Sequence, residues 1–237
     1  EIRTFTGHTN LVTSVTFSPD GRYALSGGGE YAGIKDNTLR LWEVATGKEI
    51  RTFAGHTQMI KSAALSSNGK YALSGSWDKT VKLWDISIGK EIRTFKGHTE
   101  GVNSVAFSPD GKYALSGGEE ISIKLWEVAT GNMIREFASG QGGYVHAVAF
   151  SPDGKYALLG SRDVELLDIE TGKVIKRFEG YSYYTRSVAF SPDGRYVLLA
   201  GPGAFDKVKL WDISTGREIR QVEGNHSAAF SPDGRYA

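Results

Sequence analysis

The sequence predicts an all-β protein built from repeated, four-stranded antiparallel units, and four observations carry that prediction. Of its 237 residues 30 are glycine, a load no helical domain tolerates, since each interior glycine costs a helix about 1 kcal/mol. Many turns are implied. The string Phe-Ser-Pro-Asp-Gly begins at Phe17, Phe107, Phe150, Phe190 and Phe230, with Leu65-Ser66-Ser67-Asn68-Gly69 as a variant at the second position. Tryptophan followed by an acid recurs at Trp42-Glu43, Trp84-Asp85, Trp126-Glu127 and Trp211-Asp212, with Leu167-Asp168 standing in once. Gly-His precedes the first three copies at Gly7-His8, Gly55-His56 and Gly97-His98 and decays to Gly140-Gln141, Gly180-Tyr181 and Gly224-Asn225. A fixed period of this kind is the signature of a repeat architecture.

The second repeat shows how each period divides. Met59 to Leu65 reads as a first strand, Lys70 to Ser76 as a second, Thr80 to Ile86 as a third and Glu91 to Lys96 as a fourth. The turn between the first two is Ser-Pro-Asp-Gly in the other copies: Ser starts it, Pro is preset for its second position and Gly accepts positive φ. First strands end in quartets such as Ser14-Val15-Thr16-Phe17 and Ser104-Val105-Ala106-Phe107. Large residues take one face and Ser or Ala the other, which suits strands converging on an axis. Fourth strands alternate charge, as in Glu49-Ile50-Arg51, which keeps an exposed sheet edge from pairing with another chain. No linker or composition shift interrupts the series, so residues 1–237 read as one domain. Its repeats fall at about 12–54, 59–96, 101–138, 144–179 and 184–223, with a partial sixth at 226–237 joined by a strand over 1–6.

Composition removes several function classes. With 28 basic and 27 acidic side chains the net charge is +1, and no basic run offers the field that holds a nucleic-acid backbone. Nucleic-acid and membrane partners are not expected: no apolar run approaches the roughly 18 residues of a membrane span. Without cysteine there is neither a disulfide framework nor a thiolate metal site, which suits a reducing compartment, and the cytoplasm is the expected location.

These residues together resemble the WD40-repeat β-propeller family, whose unit of about 40–45 residues runs from Gly-His to Trp-Asp. The resemblance covers essentially the whole chain. It implies five complete blades and a partial sixth, a ring of six blades or alternatively seven, and a chain that is part of a longer polypeptide. It also implies that each blade is held by hydrogen bonds among Asp, His, Ser or Thr, and Trp. Carried over residue by residue, the first blade would use His8, Ser26, Asp36 and Trp42, with about six extra residues around Gly29 to Ile34. The second would use His56, Ser74, Asp78 and Trp84. In the third, His98, Ser116 and Trp126 match, and Glu120 replaces the aspartate. The fourth has Gln141, Leu159 and Leu167 at the matching positions, and the fifth keeps only Asp206 and Trp211, with Tyr181 and Leu199 in place of His and Ser.

His56, Ser74 and Asp78 have the residue types of a hydrolytic triad, but the same three recur at the same offsets in the first repeat, and catalysis needs one constellation rather than a periodic one. A brace explains them, and no enzyme activity is expected. Asp-Gly pairs such as Asp110-Gly111 supply one carboxylate per turn, far from the six to eight oxygens of a calcium cage, and His146 and His226 have no ligand-spaced partner. No metal or other cofactor is expected.

Function then lies on the surface. The family geometry brings the loops before the first strand and after the second to one face, the top. Residues that vary there include Lys35, Trp77, Glu119, Arg162 and Phe205, and, nearer the axis, Thr13, Lys61, Asn103, His146, Arg186 and His226. Scatter at fixed positions of a repeat marks freedom from packing. Aromatics gather in the fourth and fifth repeats as Tyr144, Tyr181, Tyr183, Tyr184 and Phe205. Tyr, Trp and Arg anchor protein interfaces, so Tyr144, Arg162, Tyr183, Tyr184, Arg186, Phe205 and Trp77 are the candidate binding residues. Tyr181 can instead fill the pocket vacated by histidine. The expected function is a non-catalytic scaffold or sensor that binds a protein or peptide. The alternative is a propeller that senses a small molecule or glycan, although glycan sites on propellers would tend to recur in each blade.

Overall fold

The computed structural model describes residues 2–31, 33–140, 142–181, 184–203, 207–224 and 226–236. Among them are five four-stranded antiparallel sheets and one two-stranded ribbon, and every sheet strand pairs with its neighbour in sequence. The first sheet is β1 (Val12–Phe17), β2 (Tyr23–Gly28), β5 (Thr38–Glu43) and β6 (Glu49–Ala54). The ribbon of β3 (Glu30–Tyr31) and β4 (Ile34–Lys35) is the extra segment of this repeat, folded back at Gly33. The second sheet comprises β7 (Ile60–Leu65), β8 (Tyr71–Ser76), β9 (Thr80–Asp85) and β10 (Glu91–Lys96). The third comprises β11 (Val102–Phe107), β12 (Tyr113–Gly118), β13 (Ser122–Glu127) and β14 (Met133–Ala138). β15 (Ala147–Phe150), β16 (Tyr156–Gly160), β17 (Val164–Asp168) and β18 (Val174–Phe178) form the fourth. The fifth is β19 (Ser187–Phe190), β20 (Tyr196–Ala200), β21 (Lys207–Asp212) and β22 (Arg217–Glu223).

The repeated turn is one structure in every copy. Ser108 Oγ donates to Asp110 Oδ1 (2.7 Å) and accepts from the Tyr113 N–H (2.9 Å), while Gly111 closes the turn at φ 71°. Ser66 and Asn68 make the same bond at 2.8 Å in the variant copy.

Two compact units can be distinguished, residues 1–116 with 125–134 and residues 117–124 with 135–237. In the first, the core lies between consecutive sheets. Leu25, Leu39, Leu41 and Phe53 pack on Ile60, Ala63, Ala72 and Trp84, and Leu73, Val81, Leu83 and Phe95 pack on Val102, Val105, Ala114 and Trp126. Each fourth strand sends a Phe edge-on to the next tryptophan: Phe53 to Trp84 at 5.9 Å and Phe95 to Trp126 at 5.7 Å. Close approach needs glycine, since a Cβ on Gly75 would lie 2.7 Å from Val102 and 2.9 Å from Val105. The small residues of the first strands also bond onward: Ser14 Oγ accepts the Ala63 N–H (3.0 Å) and Ser62 Oγ accepts the Val105 N–H (3.1 Å). In the second unit, Leu158, Val164, Leu166 and Phe178 pack on Tyr181, Val188, Val197, Leu199 and Trp211, with Phe178 edge-on to Trp211 at 5.8 Å.

The strand expected over residues 1–6 is not formed: residues 2–11 contain no strand, and neither do the described residues after Glu223. A strand exists only as one side of a ladder. Phe5 nevertheless lies edge-on to Trp42 at 5.8 Å, the contact the fourth-strand phenylalanines make in later repeats.

Candidate functional site

In the second repeat the loop after β6 carries His56, β8 carries Ser74, the loop after β8 carries Asp78 and β9 carries Trp84. His56 Nδ1 lies 2.7 Å from Asp78 Oδ2, His56 Nε2 lies 2.7 Å from Ser74 Oγ, and Trp84 Nε1 donates to Ser74 Oγ at 2.8 Å. The carboxylate can only accept, so Nδ1 carries the proton, Nε2 accepts the serine hydroxyl, and the serine oxygen accepts the indole N–H. Every group in that directed chain is satisfied. Burial by itself would raise the Asp78 carboxyl, but hydrogen bonds from His56 and Thr80 outweigh it and hold the group well below the ordinary carboxylate range. Ser74 is 0% exposed and sits against the Trp84 indole.

The first repeat repeats the pattern: His8 to Asp36 at 2.8 Å, His8 to Ser26 at 2.7 Å and Trp42 to Ser26 at 2.7 Å. In the third, His98 meets Ser116 at 2.6 Å and Trp126 donates to the same oxygen at 2.7 Å. Glu120 lies 3.3 Å from the buried Lys124 ammonium. The fourth repeat buries Leu159 and Leu167 at the corresponding places, and Asp163 accepts the Gly180 N–H at 3.3 Å. Gln141 and Asp206 lie outside the described residues.

The fifth repeat solves the same problem differently. Tyr181, 8% exposed, donates its hydroxyl towards the Leu199 and Lys207 carbonyls at 2.7 and 2.5 Å, and the Lys209 ammonium lies 4.8 Å from its ring centre. It fills the histidine pocket. With Leu199 in the serine place, Trp211 Nε1 is buried without an acceptor among the described residues, at a cost of about 1–3 kcal/mol.

A second set of residues escaped the sequence reading. In the first three repeats, two positions before the tryptophan that meets the serine stands a cation that meets an opposite charge on the fourth strand: Arg40 with Glu49 (2.6 Å), Lys82 with Glu91 (2.7 Å) and Lys124 with Glu136 (2.8 Å). The fourth repeat inverts the pair, Glu165 with Arg177 at 3.0 Å. The joint sign reversal is visible in the sequence once the pairing is known.

The candidate binding residues separate by unit. In the first, Trp77 is 38% exposed, donates to Asn103 Oδ1 at 3.3 Å and has the Lys61 ammonium 5.0 Å from its ring centre. In the second, Tyr144 is 55% exposed and lies edge-on to His146 at 6.4 Å, while His146 stacks on Tyr184 at 4.1 Å. Tyr144, His146 and Tyr184 line a cleft of about 410 Å³ together with Gly142, Gly143, Ser161 and Arg162. Arg162 and Arg186 are exposed. His146, which the sequence reading had only among the variable positions, is thus the centre of the aromatic group. Tyr183 and Phe205 lie outside the described residues. His226 departs from its expected row: its N–H bonds the Gly201 carbonyl at 2.7 Å, as Val145 bonds Gly118 and Thr185 bonds Ser161, so it stands one place out of register, at φ 70°.

Among the described residues no three His, Asp or Glu side chains gather to hold a metal ion, and no helix is long and apolar enough to cross a membrane.

Comparison with known proteins places this architecture in a family. A model described as the IFT122 first beta-propeller matches residues 30–236, and one described as WD domain, G-beta repeat, matches residues 1–43. The chain belongs to the WD40-repeat β-propeller family. It is similar to the small ribosomal subunit protein RACK1 of Saccharomyces cerevisiae, 47% identical over 47 residues, which is 20% of this chain and 13% of that relative. Propellers of this family generally serve as scaffolds for protein interactions and are typically not enzymes.

Proposed function

We propose that this chain is a non-catalytic scaffold that binds a protein or peptide segment through the loops preceding the first strand and following the second strand of its repeats. The observation that carries this reading is the exposed Tyr144 beside the His146–Tyr184 stack and Arg162, at the rim of a cleft. Aromatic rings of this kind bury large area at little rotamer cost, and Tyr, Trp and Arg are the usual anchors of interfaces. Trp77 belongs to the same class of loop in the first unit. The hydrogen-bonded residues of the first three repeats serve, in this reading, to stiffen the loops rather than to react. A cysteine-free chain suits the cytoplasm.

The test is a phage-displayed peptide library panned on the immobilised protein. Selected peptides should bind Tyr144→Ala/Tyr184→Ala roughly tenfold or more weakly, the loss expected for interface anchors, while Lys112→Ala/Lys155→Ala at the repeated turns should bind unchanged. Peptides indifferent to the tyrosines but sensitive to the turn lysines would overturn the reading, as would a library that yields no binder.

A further inference from the structure

We infer that the cleft of Tyr144, His146, Tyr184 and Arg162 takes an acidic segment of its partner, with an Asp or Glu carboxylate on the Arg162 guanidinium and a neighbouring apolar side chain laid on the aromatic group. This rests on the scaffold reading above and adds the chemistry of what is bound.

Among the described residues the lining of the cleft carries no carboxylate; its titratable members are Arg162, His146, Tyr144 and Tyr184. Several cationic side chains of the repeats are already engaged. Arg40, Lys82, Lys124 and Arg177 sit on carboxylates, and Arg93 and Arg135 donate to backbone carbonyls of the next turn. Arg162 is exposed and forms no ion pair among the described residues, so its charge is available to a ligand.

Its backbone is also held. The Arg162 carbonyl accepts the Tyr181 N–H at 3.3 Å, and a Cβ on Gly180 would come within 2.1 Å of that oxygen, so the loop is packed against the start of the fifth repeat. Preorganisation of this kind lowers the ordering cost of binding. A guanidinium offers a planar fork that matches a carboxylate bidentately, at roughly twice the strength of a neutral hydrogen bond.

Aromatic faces alone would equally invite a cation. Here an unpaired guanidinium lies at the same rim, and like charge opposes a Lys or Arg ligand. The adjoining cleft, lined by Arg162, Asp163, Glu179, Gly180, Tyr181 and Lys209, contains the carboxylates that would repel an acidic group, which directs an anion to the Tyr144 side of Arg162.

Three fluorescein-labelled octapeptides test this by fluorescence polarisation: Gly-Gly-Asp-Phe-Glu-Leu-Gly-Gly, its Asn/Gln counterpart and its Lys/Lys counterpart. The acidic peptide should bind roughly tenfold or more tightly than the amide peptide, the scale of one charge-assisted pair, and the lysine peptide more weakly than either. Arg162→Gln should bring the acidic peptide down to the amide peptide's affinity and leave the latter unchanged, with Arg162→Lys between. Tyr184→Leu should weaken the acidic and amide peptides alike. Far-UV circular dichroism and denaturant midpoints on the same samples separate these effects from unfolding. Equal affinity for the acidic and amide peptides, an acid preference that survives Arg162→Gln, or no binding by any of the three overturns the inference. Library peptides that need Tyr144 and Tyr184 yet show no acid preference would overturn it while leaving the scaffold reading standing.

Discussion

Trp84 in the second repeat and Trp211 in the fifth occupy the same place, each edge-on to the phenylalanine of the preceding fourth strand, yet among the described residues only Trp84 has an acceptor for its indole N–H. Ser74 accepts it and donates its own hydroxyl hydrogen bond to His56, which is braced in turn by Asp78. In the fifth repeat Leu199 stands where the serine would be, Tyr181 replaces the histidine, and Trp211 Nε1 is left buried with no partner among the described residues. The apolar packing of the tryptophan is thus separable from the polar chain beneath it. Tyr181 satisfies its own hydroxyl on backbone carbonyls and keeps the pocket filled, but transmits nothing to the tryptophan.

The fourth repeat extends the contrast, since its leucines leave the Glu165–Arg177 pair as its buried polar tie. Glu165→Lys places two cations together, one of them fully buried. Breaking a fully buried pair costs roughly 3–5 kcal/mol, and because Arg177 is half-exposed we expect about 2–3 kcal/mol. The double change Glu165→Lys/Arg177→Glu restores the polarity of the other repeats and should recover most of the loss. A urea titration of the parent, the single and the double variant decides; a double variant no better than the single one would mean that the pair's sign is set by something other than the pair.

Asp78→Ala should cost about 1–3 kcal/mol, because it strips the buried His56 of its acceptor. Asp163→Ala, removing a long bond to Gly180 from a half-buried site, should cost no more than about 0.5 kcal/mol, as at sites without a buried network. Equal shifts in denaturant midpoint would erase the distinction between the two repeats.

The smaller effect is on pH. The Asp78 and Asp36 carboxyls are depressed in the fold: burial acts to raise them, and bonds from His56 and Thr80, or from Thr38, Thr9 and His8, outweigh it. A depressed folded value means that the stabilisation is fully present above the unfolded value of 3.8 and is lost as pH falls through the lower folded value. Urea midpoints should therefore fall below about pH 4. Asp78→Asn should flatten part of that decline but not all of it, since Asp212, held down to about 2 by its bonds to Ser214 and Thr215, and the other depressed aspartates titrate there too. A slope unchanged in the variant would remove Asp78 from the acid response.

Much of the fold was legible because the repeats align themselves. Four strands per period and the Ser-Pro-Asp-Gly turn could be read from spacing, and the family resemblance pointed to Leu159 and Leu199 as positions without the polar partner. What escaped depended on contacts between positions that spacing does not relate. The pairing of Lys82 with Glu91 follows from the register of β9 on β10, where a bulge between Glu91 and Arg93 shifts the partners. The stacking of His146 on Tyr184 joins consecutive repeats, so neither residue alone signals it. The place of His226 changed because one residue takes a left-handed backbone. The N-terminal segment reads as a strand in the sequence and forms none in residues 2–11, because a ladder partner cannot be inferred from the pattern of one strand.

The central claim is that a polar chain, and not the packing of the ring, distinguishes the second repeat from the fifth. Replacing each tryptophan by phenylalanine tests it most directly, since both changes remove similar apolar area. Trp84→Phe also removes the donor to Ser74, whereas Trp211→Phe removes a donor that has no acceptor among the described residues. Measured by urea midpoint at neutral pH, Trp84→Phe should be the more destabilising by about 1–2 kcal/mol, the difference between losing a made hydrogen bond and relieving an unmade one. Equal losses, or a larger loss for Trp211→Phe, would contradict the account.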